Sequence, residues 1–203
     1  ANGEAPDVLN IDVFADYQAD DLLLPIQDVV SEETYSKMYD AFLAQSEVDG
    51  TVWAIPDLAS ARAMYYNKDI LDAAGVEVPT TWDEFEEVLQ KLSDAGIQPL
   101  TTGGSDKWGA TRLINAYAVR TAGNDIMTKA ADGEVPYTDE KLVAAADKIA
   151  EWAEKGYFGE GITTVDMNTA GSMLMSGKAA IFYNGSWFTQ NLTDDSQNPA
   201  GED

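Results

Sequence analysis

The segment that most constrains the fold is TTWDEFEEVLQKLSDAGIQPLTTGG, residues 80–104. Thr81 and Glu84 stand three residues apart near its start, which is the pattern of a capping box that begins a helix. Helical spacing then predicts one apolar stripe, formed by Trp82, Phe85, Val88, Leu89 and Leu92. Gly96 suits the position after a helix end, and IQPL predicts a short buried strand that runs into a glycine-rich loop. A helix that leads directly into a buried strand is typical of α/β proteins.

The same alternation of strands and helices is predicted along the rest of the chain. Further strands are predicted at residues 6–14, 52–55, 61–67 and 179–183. Further helices are predicted at residues 32–46, 68–74, 110–122, 138–155 and 168–176. Asn67 and Thr138 are the expected N-terminal caps of two of these helices, and Asn184-Gly185-Ser186 predicts a turn after the last strand. Such alternation predicts an α/β class with a largely parallel sheet.

The charge balance argues against several kinds of partner. The chain carries 36 acidic and 12 basic residues, which gives a net charge of −24. Proteins bind nucleic acid through basic patches that release counterions, so we expect no nucleic-acid partner. Binding to an anionic lipid surface is disfavoured for the same reason. We interpret the acidity as a solubilising surface rather than as a specific cation site.

Composition also limits the chemistry, because the chain has no cysteine and no histidine. Disulfides, thiol nucleophiles, Ser-His-Asp triads and histidine metal sites are therefore impossible within it. Gly103-Gly104 is not followed by the Gly-Lys-Ser/Thr of a phosphate-binding loop. Residues 194–198 alternate Asp, Ser and Asn as a calcium loop does, but Pro199 stands where that loop needs glycine. We expect no catalytic residue, no metal and no cofactor.

Two tryptophans outside the predicted helices raise the question of ligand binding. Trp108 follows the glycine-rich loop, and Trp187 follows the Asn-Gly-Ser turn. A large ring in such a position either closes a core or offers a flat apolar surface at a cleft. Sugars stack on such rings while carboxylates and amides take their hydroxyls. Both interpretations of Trp187 stay open on the residues alone.

An ordered set of segments resembles the extracellular solute-binding proteins of bacterial ABC transporters. The segments are APDVL, LLLPIQD, DGTVWAIP, MYYNKDILDAAGVEVPTTWDEFEEVLQKLSDAGIQPL, EKGYF and MSGKAAIFYNGSW. The likeness covers nearly the whole chain in order, and it is strongest to the family 1 branch that mostly carries oligosaccharides. It implies an α/β fold of the periplasmic-binding-protein type II, in which two α/β lobes are joined by hinge strands and close on a ligand.

The resemblance also implies the organisation and the role of the protein. Residues 1–103 would form part of an N-terminal lobe and residues 104–203 part of a C-terminal lobe, with both lobes incomplete because family members carry further segments at both ends. The protein would be a monomeric receptor rather than an enzyme, outside the cytoplasmic membrane or in a periplasm and held by a lipid anchor. Its partners would be a small-molecule ligand, expected to be an oligosaccharide, and the membrane subunits of an ABC permease.

Six ligand-binding residues are carried over by matching motifs. Trp187 stands where many family members stack a sugar. The others are Asp57 after the AIP strand, Asp12 after the PDVL strand, Trp108 beyond the presumed hinge, and Arg62 and Asn184 beside matched motifs. The motif Tyr65-Tyr66-Asn67 is interpreted as structural, a strand followed by a helix cap. Two alternatives stay open: a glycoside hydrolase that uses paired carboxylates, whose separation sequence does not give, and the same fold with a polyamine, peptide or metal complex as cargo.

Overall fold

The computed structural model describes residues 6–11, 15–194 and 196–198. The chain divides into two compact units, residues 1–59 and residues 60–203. In the described residues no helix is both long enough and apolar enough to cross a bilayer.

The first unit is built from short helices and a hairpin. Its α-helices are α1 (Ala15–Ala19), α2 (Ile26–Val29), α3 (Glu32–Tyr35) and α4 (Asp40–Leu43), followed by a 3-10 turn at Ala44–Ser46. Strands β1 (Glu47–Val48) and β2 (Thr51–Val52) pair antiparallel across Asp49-Gly50, where both turn residues have positive φ. Ile26, Leu43 and Val52 form its small buried core.

Three predictions for this unit need correction. The single helix expected at 32–46 is interrupted, because Tyr39 has an extended backbone and starts a new helix. The strand expected at 52–55 is β2, which ends at Val52. Residues 6–11 of the strand expected at 6–14 lie in no strand, and residues 12–14 lie outside the described residues. Among the described residues of this unit only three side chains are buried, so the helices and strands have little core to pack against and stay short.

The second unit carries a three-stranded sheet packed with longer helices. Its strands are β3 (Arg62–Tyr66), β4 (Leu100–Thr101) and β5 (Ile181–Gly185). Its α-helices are α5 (Lys68–Ala74), α6 (Trp82–Asp94), α7 (Trp108–Ala122), α8 (Ile126–Ala131), α9 (Glu140–Glu154), α10 (Met167–Met175) and α11 (Thr189–Leu192). Single 3-10 turns lie at Ile162–Thr164 and Ser186–Phe188.

The sheet is mixed rather than largely parallel. β5 is central and all five of its residues are buried. β4 pairs with it in parallel, whereas β3 pairs antiparallel in a register that joins Arg62 to Gly185 and Tyr66 to Ile181. β5 therefore continues through Asn184 and Gly185, so the turn predicted at these residues is wrong. Long-range pairing with β3 keeps them extended, and the chain bends only at Ser186.

Local capping explains where the helices begin. The capping box of α6 is present, with Thr81 Oγ1 accepting from Glu84 N at 3.2 Å and Glu84 Oε2 accepting from Thr81 N at 3.2 Å. Asn67 caps α5 by accepting from Ile70 N at 3.1 Å, as predicted. The cap of α9 is Asp139 instead of Thr138, because Asp139 N donates to Pro136 O in a turn that contains Thr138.

The apolar stripe of α6 faces the main core. Phe85, Val88, Leu89 and Leu92 are buried together with Trp152 of α9 and with residues of β4 and β5. The loop at Gly103-Gly104-Ser105 lies inside this unit, since the N–H groups of Gly104 and Ser105 both donate to Val165 O. The lobe boundary expected at residues 103–104 stays a prediction.

Candidate functional site

Trp187 lies at the carboxyl end of the central strand, where α/β sheets commonly place their ligands. Gly185 ends β5, and the 3-10 turn Ser186–Phe188 then directs two aromatic side chains differently. Phe188 is buried and packs edge-to-face on Phe182 and Tyr65. Trp187 is only partly buried, with its ring above the α-carbon of Gly185. Phe188 therefore belongs to the core, while Trp187 keeps part of its surface exposed.

Trp108 lies beside Trp187 and is the first residue of α7. The two ring centroids are 6.1 Å apart with a tilt of 56°, and Trp108 is 37% exposed. The preceding loop is fixed by Asp106, whose Oδ2 accepts from Met167 N at 2.7 Å. Lys107 has a positive φ of 63°, which turns the chain into the helix at this point. A constrained loop thus presents the Trp108 ring next to the end of β5.

Arg62 completes the group. Its Cζ lies 4.4 Å from the centroid of the Trp187 ring and 5.3 Å from that of Trp108, within the range of cation–π attraction. Burial lowers the pKa of the guanidinium and so does the charge of Arg112, but an arginine remains protonated in proteins. We call Arg62, Trp108 and Trp187 the Trp–Arg cluster. Three of the six predicted site residues therefore meet in space.

Asn184 has a different environment. It is 4% exposed, and its Oδ1 accepts the N–H of Gly185 at 2.8 Å. Side chains alternate along a strand, so Asn184 projects to the sheet face opposite to that of Gly185 and its partner Arg62. Its expected role in ligand binding stays a prediction.

Asp57 belongs to the first unit, where it is exposed. Its Oδ2 accepts from Asn10 Nδ2 at 2.9 Å, a partner that the sequence did not indicate. Asp57 also lines a cavity of about 270 Å³ with Tyr39 and Phe42, whose rings pack edge-to-face with centroids 6.0 Å apart. Asp12, the other acidic residue predicted to bind ligand, lies outside the described residues.

A larger cavity of about 630 Å³ adjoins the Trp–Arg cluster through Arg62. Its polar walls include Arg120 of α7, Asn124 after the end of α7 and Tyr183 of β5. Trp82 and Phe85 of α6 provide aromatic wall. The sequence analysis did not identify Arg120 or Tyr183. The chain has only three arginines among 36 acidic residues, and this scarcity could have indicated Arg120 as a candidate. In the described part of the chain no group of three or more acidic side chains is placed to hold a metal ion.

A comparison with known protein families shows to which family the chain belongs. The family described as bacterial extracellular solute-binding protein matches residues 1–203. This chain belongs to that family. The fold is accordingly the α/β fold of the type II periplasmic binding proteins, as the sequence resemblance implied.

Three individual members of the solute-binding protein class show how far the likeness extends. A probable sugar-binding periplasmic protein of Rhizobium meliloti (strain 1021) is 30% identical over 192 residues, which cover 91% of this chain and 45% of that protein. A solved chitin oligosaccharide binding protein has 27% identity and a TM-score of 0.83, covering 91% of this chain and 46% of the other. The solved solute receptor AcbH has 27% identity and a TM-score of 0.68, covering 90% of this chain and 46% of the other.

This solute-binding protein chain therefore spans less than half the length of those relatives. The family match over residues 1–203 contains β3, β5, the turn after β5 and the start of α7. The Trp–Arg cluster thus lies within the region that the family shares.

Proposed function

We propose that this chain is part of the extracellular solute receptor of an ABC importer, which binds a sugar or oligosaccharide between two lobes and delivers it to a membrane permease. The observation that carries the sugar assignment is the Trp–Arg cluster at the carboxyl end of β5. Two indole rings with centroids 6.1 Å apart offer apolar faces, and the Arg62 guanidinium beside them offers hydrogen-bond donors.

The cluster suits a ligand that is flat and apolar on its faces and polar at its rim. Binding sites of this kind combine aromatic walls with a few well-placed polar groups. A pyranose ring would stack on Trp187 or Trp108, and its ring hydroxyls would accept from Arg62. Asp57 and Asp12, which were carried over by matching motifs, stay in the proposal as residues that would accept hydrogen bonds from ligand hydroxyl groups.

The named relatives favour carbohydrate as the cargo. The Rhizobium meliloti protein is described as sugar-binding, and the 27%-identical structures are described with chitin oligosaccharide and with b-D-galactopyranose. The family description supports a location outside the cytoplasmic membrane or in a periplasm. A lipid anchor and a permease partner are part of our proposal. We include a monomeric state and the absence of catalysis in the proposal.

Calorimetric titration of the chain with a panel of oligosaccharides tests the proposal. A Trp187→Ala variant should bind its sugar about 1 kcal/mol more weakly, because the stacking surface is lost. Tyr137→Ala is the matched control, since Tyr137 is an exposed aromatic of the same unit that lines neither cavity. Unchanged binding by Trp187→Ala would show that this ring does not contact the ligand. Release of shorter glycans during incubation would favour a hydrolase.

A further inference from the structure

The three arginines of the chain lie near Tyr183, and two of them, Arg62 and Arg120, line the same cavity as Tyr183. A chain with 36 acidic residues has only Arg62, Arg112 and Arg120. The Tyr183 hydroxyl donates to the Arg112 backbone oxygen at 3.2 Å. Burial raises the pKa of this hydroxyl, while the positive charges of Arg62, Arg112 and Arg120 act to lower it. Arginine, which is less common than lysine in this chain, is therefore concentrated at one place in the fold.

These arginines are not used to hold the fold together by ion pairs. Across residues 6–11, 15–194 and 196–198, the ion pairs are all made by lysines, namely Lys37, Lys129, Lys148 and Lys155. Each guanidinium has up to five N–H donors in a planar fork. Within the same described residues, no carboxylate lies within ion-pair distance of any of them. Their charge is available to a ligand.

The described residues that line the adjoining cavity are cationic or neutral. Arg62 and Arg120 line its volume of about 630 Å³, and no Asp or Glu is among the described residues that line it. Thr80, Thr81 and Asn124 add neutral polar groups, and Trp82 and Phe85 add aromatic surface. The volume falls within the range of about 300 to 1,000 Å³ that small-molecule sites occupy.

We propose that this cavity binds the carboxylate of an acidic sugar, so that the receptor takes a uronate-containing oligosaccharide. The inference rests on the proposed function, because it names the class of sugar that the same site would accept. Arg62 belongs both to the Trp–Arg cluster and to the cavity wall, which places a cation where a stacked sugar ring would meet it.

Two physical arguments favour a carboxylate over a neutral group. The planar fork of arginine matches the two oxygens of a carboxylate, and such charged hydrogen bonds are about twice as strong as neutral ones. The net charge of −24 repels an anion at long range. A local concentration of unpaired cations in so acidic a protein is therefore what an anionic ligand would need in order to bind.

The test uses the 203-residue chain and pairs of sugars that differ only at one carbon. Neutral oligosaccharides, cellobiose among them, are compared by calorimetry with their counterparts in which the terminal CH₂OH is a carboxylate. The uronate should bind at least about tenfold more tightly than its neutral counterpart, since a hydrogen bond to a charged group is stronger than one between neutral groups. Arg120→Gln should reduce that ratio about tenfold, and Arg120→Lys, which keeps the charge and loses the fork, should reduce it less.

Lys141→Gln removes the same charge from an exposed position on α9 outside the cavity, and it should leave the ratio unchanged. Equal affinity for both sugars, or a uronate preference that survives Arg120→Gln, would overturn the inference. Binding of neutral sugars alone would overturn it and still support the proposed function. Binding of neither kind of sugar would overturn both.

Discussion

The ring of Trp187 lies directly above the α-carbon of Gly185, two residues earlier in the chain. A β-carbon built at Gly185 would overlap three carbon atoms of the indole six-membered ring. Gly185 has φ −92° and ψ 164°, an extended conformation that any residue adopts. The glycine is therefore needed for the space it leaves to the ring and not for its backbone freedom.

This relationship predicts that Gly185→Ala displaces the Trp187 ring. The added methyl group is compatible with β5 but not with the present ring position, so overpacking should cost about 1–3 kcal/mol in the free energy of unfolding. The new ring position should also weaken sugar binding and change the tryptophan fluorescence. Chemical denaturation, titration and emission spectra measure the three effects.

A double-mutant cycle separates the ring from the strand. In the Trp187→Ala background the overlap is gone, so adding Gly185→Ala should have almost no effect on the free energy of unfolding. If Gly185→Ala costs the same stability in both backgrounds, the strand itself requires the glycine and the explanation through Trp187 is wrong.

Elements governed by neighbouring residues could be predicted from the sequence. Thr81 and Glu84 lie one helical turn apart, and Asn67 caps the helix directly after it, so their hydrogen bonds follow from local chemistry. The start of α9 was displaced by one residue because Thr138 and Asp139 can both cap. The choice between them depends on the turn at Pro136.

The candidate site could be predicted only in part, because its geometry depends on contacts between distant residues. The antiparallel pairing of β3 with β5 brings Arg62 to Trp187, and no local pattern encodes that register. The same pairing extends β5 through Asn184, where the sequence indicated a turn. Which of Trp187 and Phe188 is buried depends on the 3-10 turn at Ser186, and the sequence pattern was compatible with either.

The hydrogen bonds to the Glu84 carboxylate predict that the stability of the protein depends on pH. Hydrogen bonds from Thr80 N at 2.7 Å and Thr80 Oγ1 at 2.8 Å, together with those of Thr81, lower the pKa of its carboxyl group. A lowered folded-state pKa means that this stabilisation is complete above the unfolded-state pKa of about 4.3 and is lost as the pH falls through the folded value. Glu84→Gln should therefore lower the melting temperature at about pH 7 and have less effect at about pH 3.

Glu87→Gln is the matched control for that experiment. Glu87 is exposed on the same helix, and its side chain makes no hydrogen bond or ion pair with the residues that the structure describes. The same loss of melting temperature at both pH values for Glu84→Gln, or an equal pH dependence for Glu87→Gln, would contradict the assignment.

Lys148 predicts a salt-dependent link between two helices. Its Nζ lies 3.2 Å from Glu86 of α6 and 3.0 Å from Glu151 of its own helix α9, with only 26% of its side chain exposed. Lys148→Gln should lower the free energy of unfolding by about 0.5–1 kcal/mol, near the upper end for ion pairs at a surface.

Salt and a matched lysine test whether charge is the cause. In about 1 M NaCl the Debye length falls to about 3 Å, so the cost of Lys148→Gln should shrink. Lys129→Gln breaks a single, more exposed ion pair between α8 and its N-cap residue Asp125. At low salt this substitution should lower the free energy of unfolding less than Lys148→Gln does. A cost that does not change with salt would point to lost packing of the lysine stem instead.

The two hydrogen bonds of Asn67 predict that its side-chain oxygen contributes more to stability than its side-chain nitrogen. Its Oδ1 accepts from Ile70 N at 3.1 Å and caps α5, whereas its Nδ2 donates to Leu174 O over a longer 3.4 Å. Asn67→Ala removes both bonds and should lower the free energy of unfolding by about 1 kcal/mol, the usual cost of a lost cap. Asn67→Asp keeps an oxygen at the capping position and adds charge at the positive end of the helix, so it should retain most of the stability. Denaturant unfolding of both variants measures the difference: an Asp variant as unstable as the Ala variant would assign the stabilisation to the bond with Leu174.

Because Asn67 lines neither cavity, both variants should bind sugar as the unaltered chain does. A loss of affinity in a folded Asn67→Asp protein would contradict the structural interpretation of the Tyr65-Tyr66-Asn67 motif.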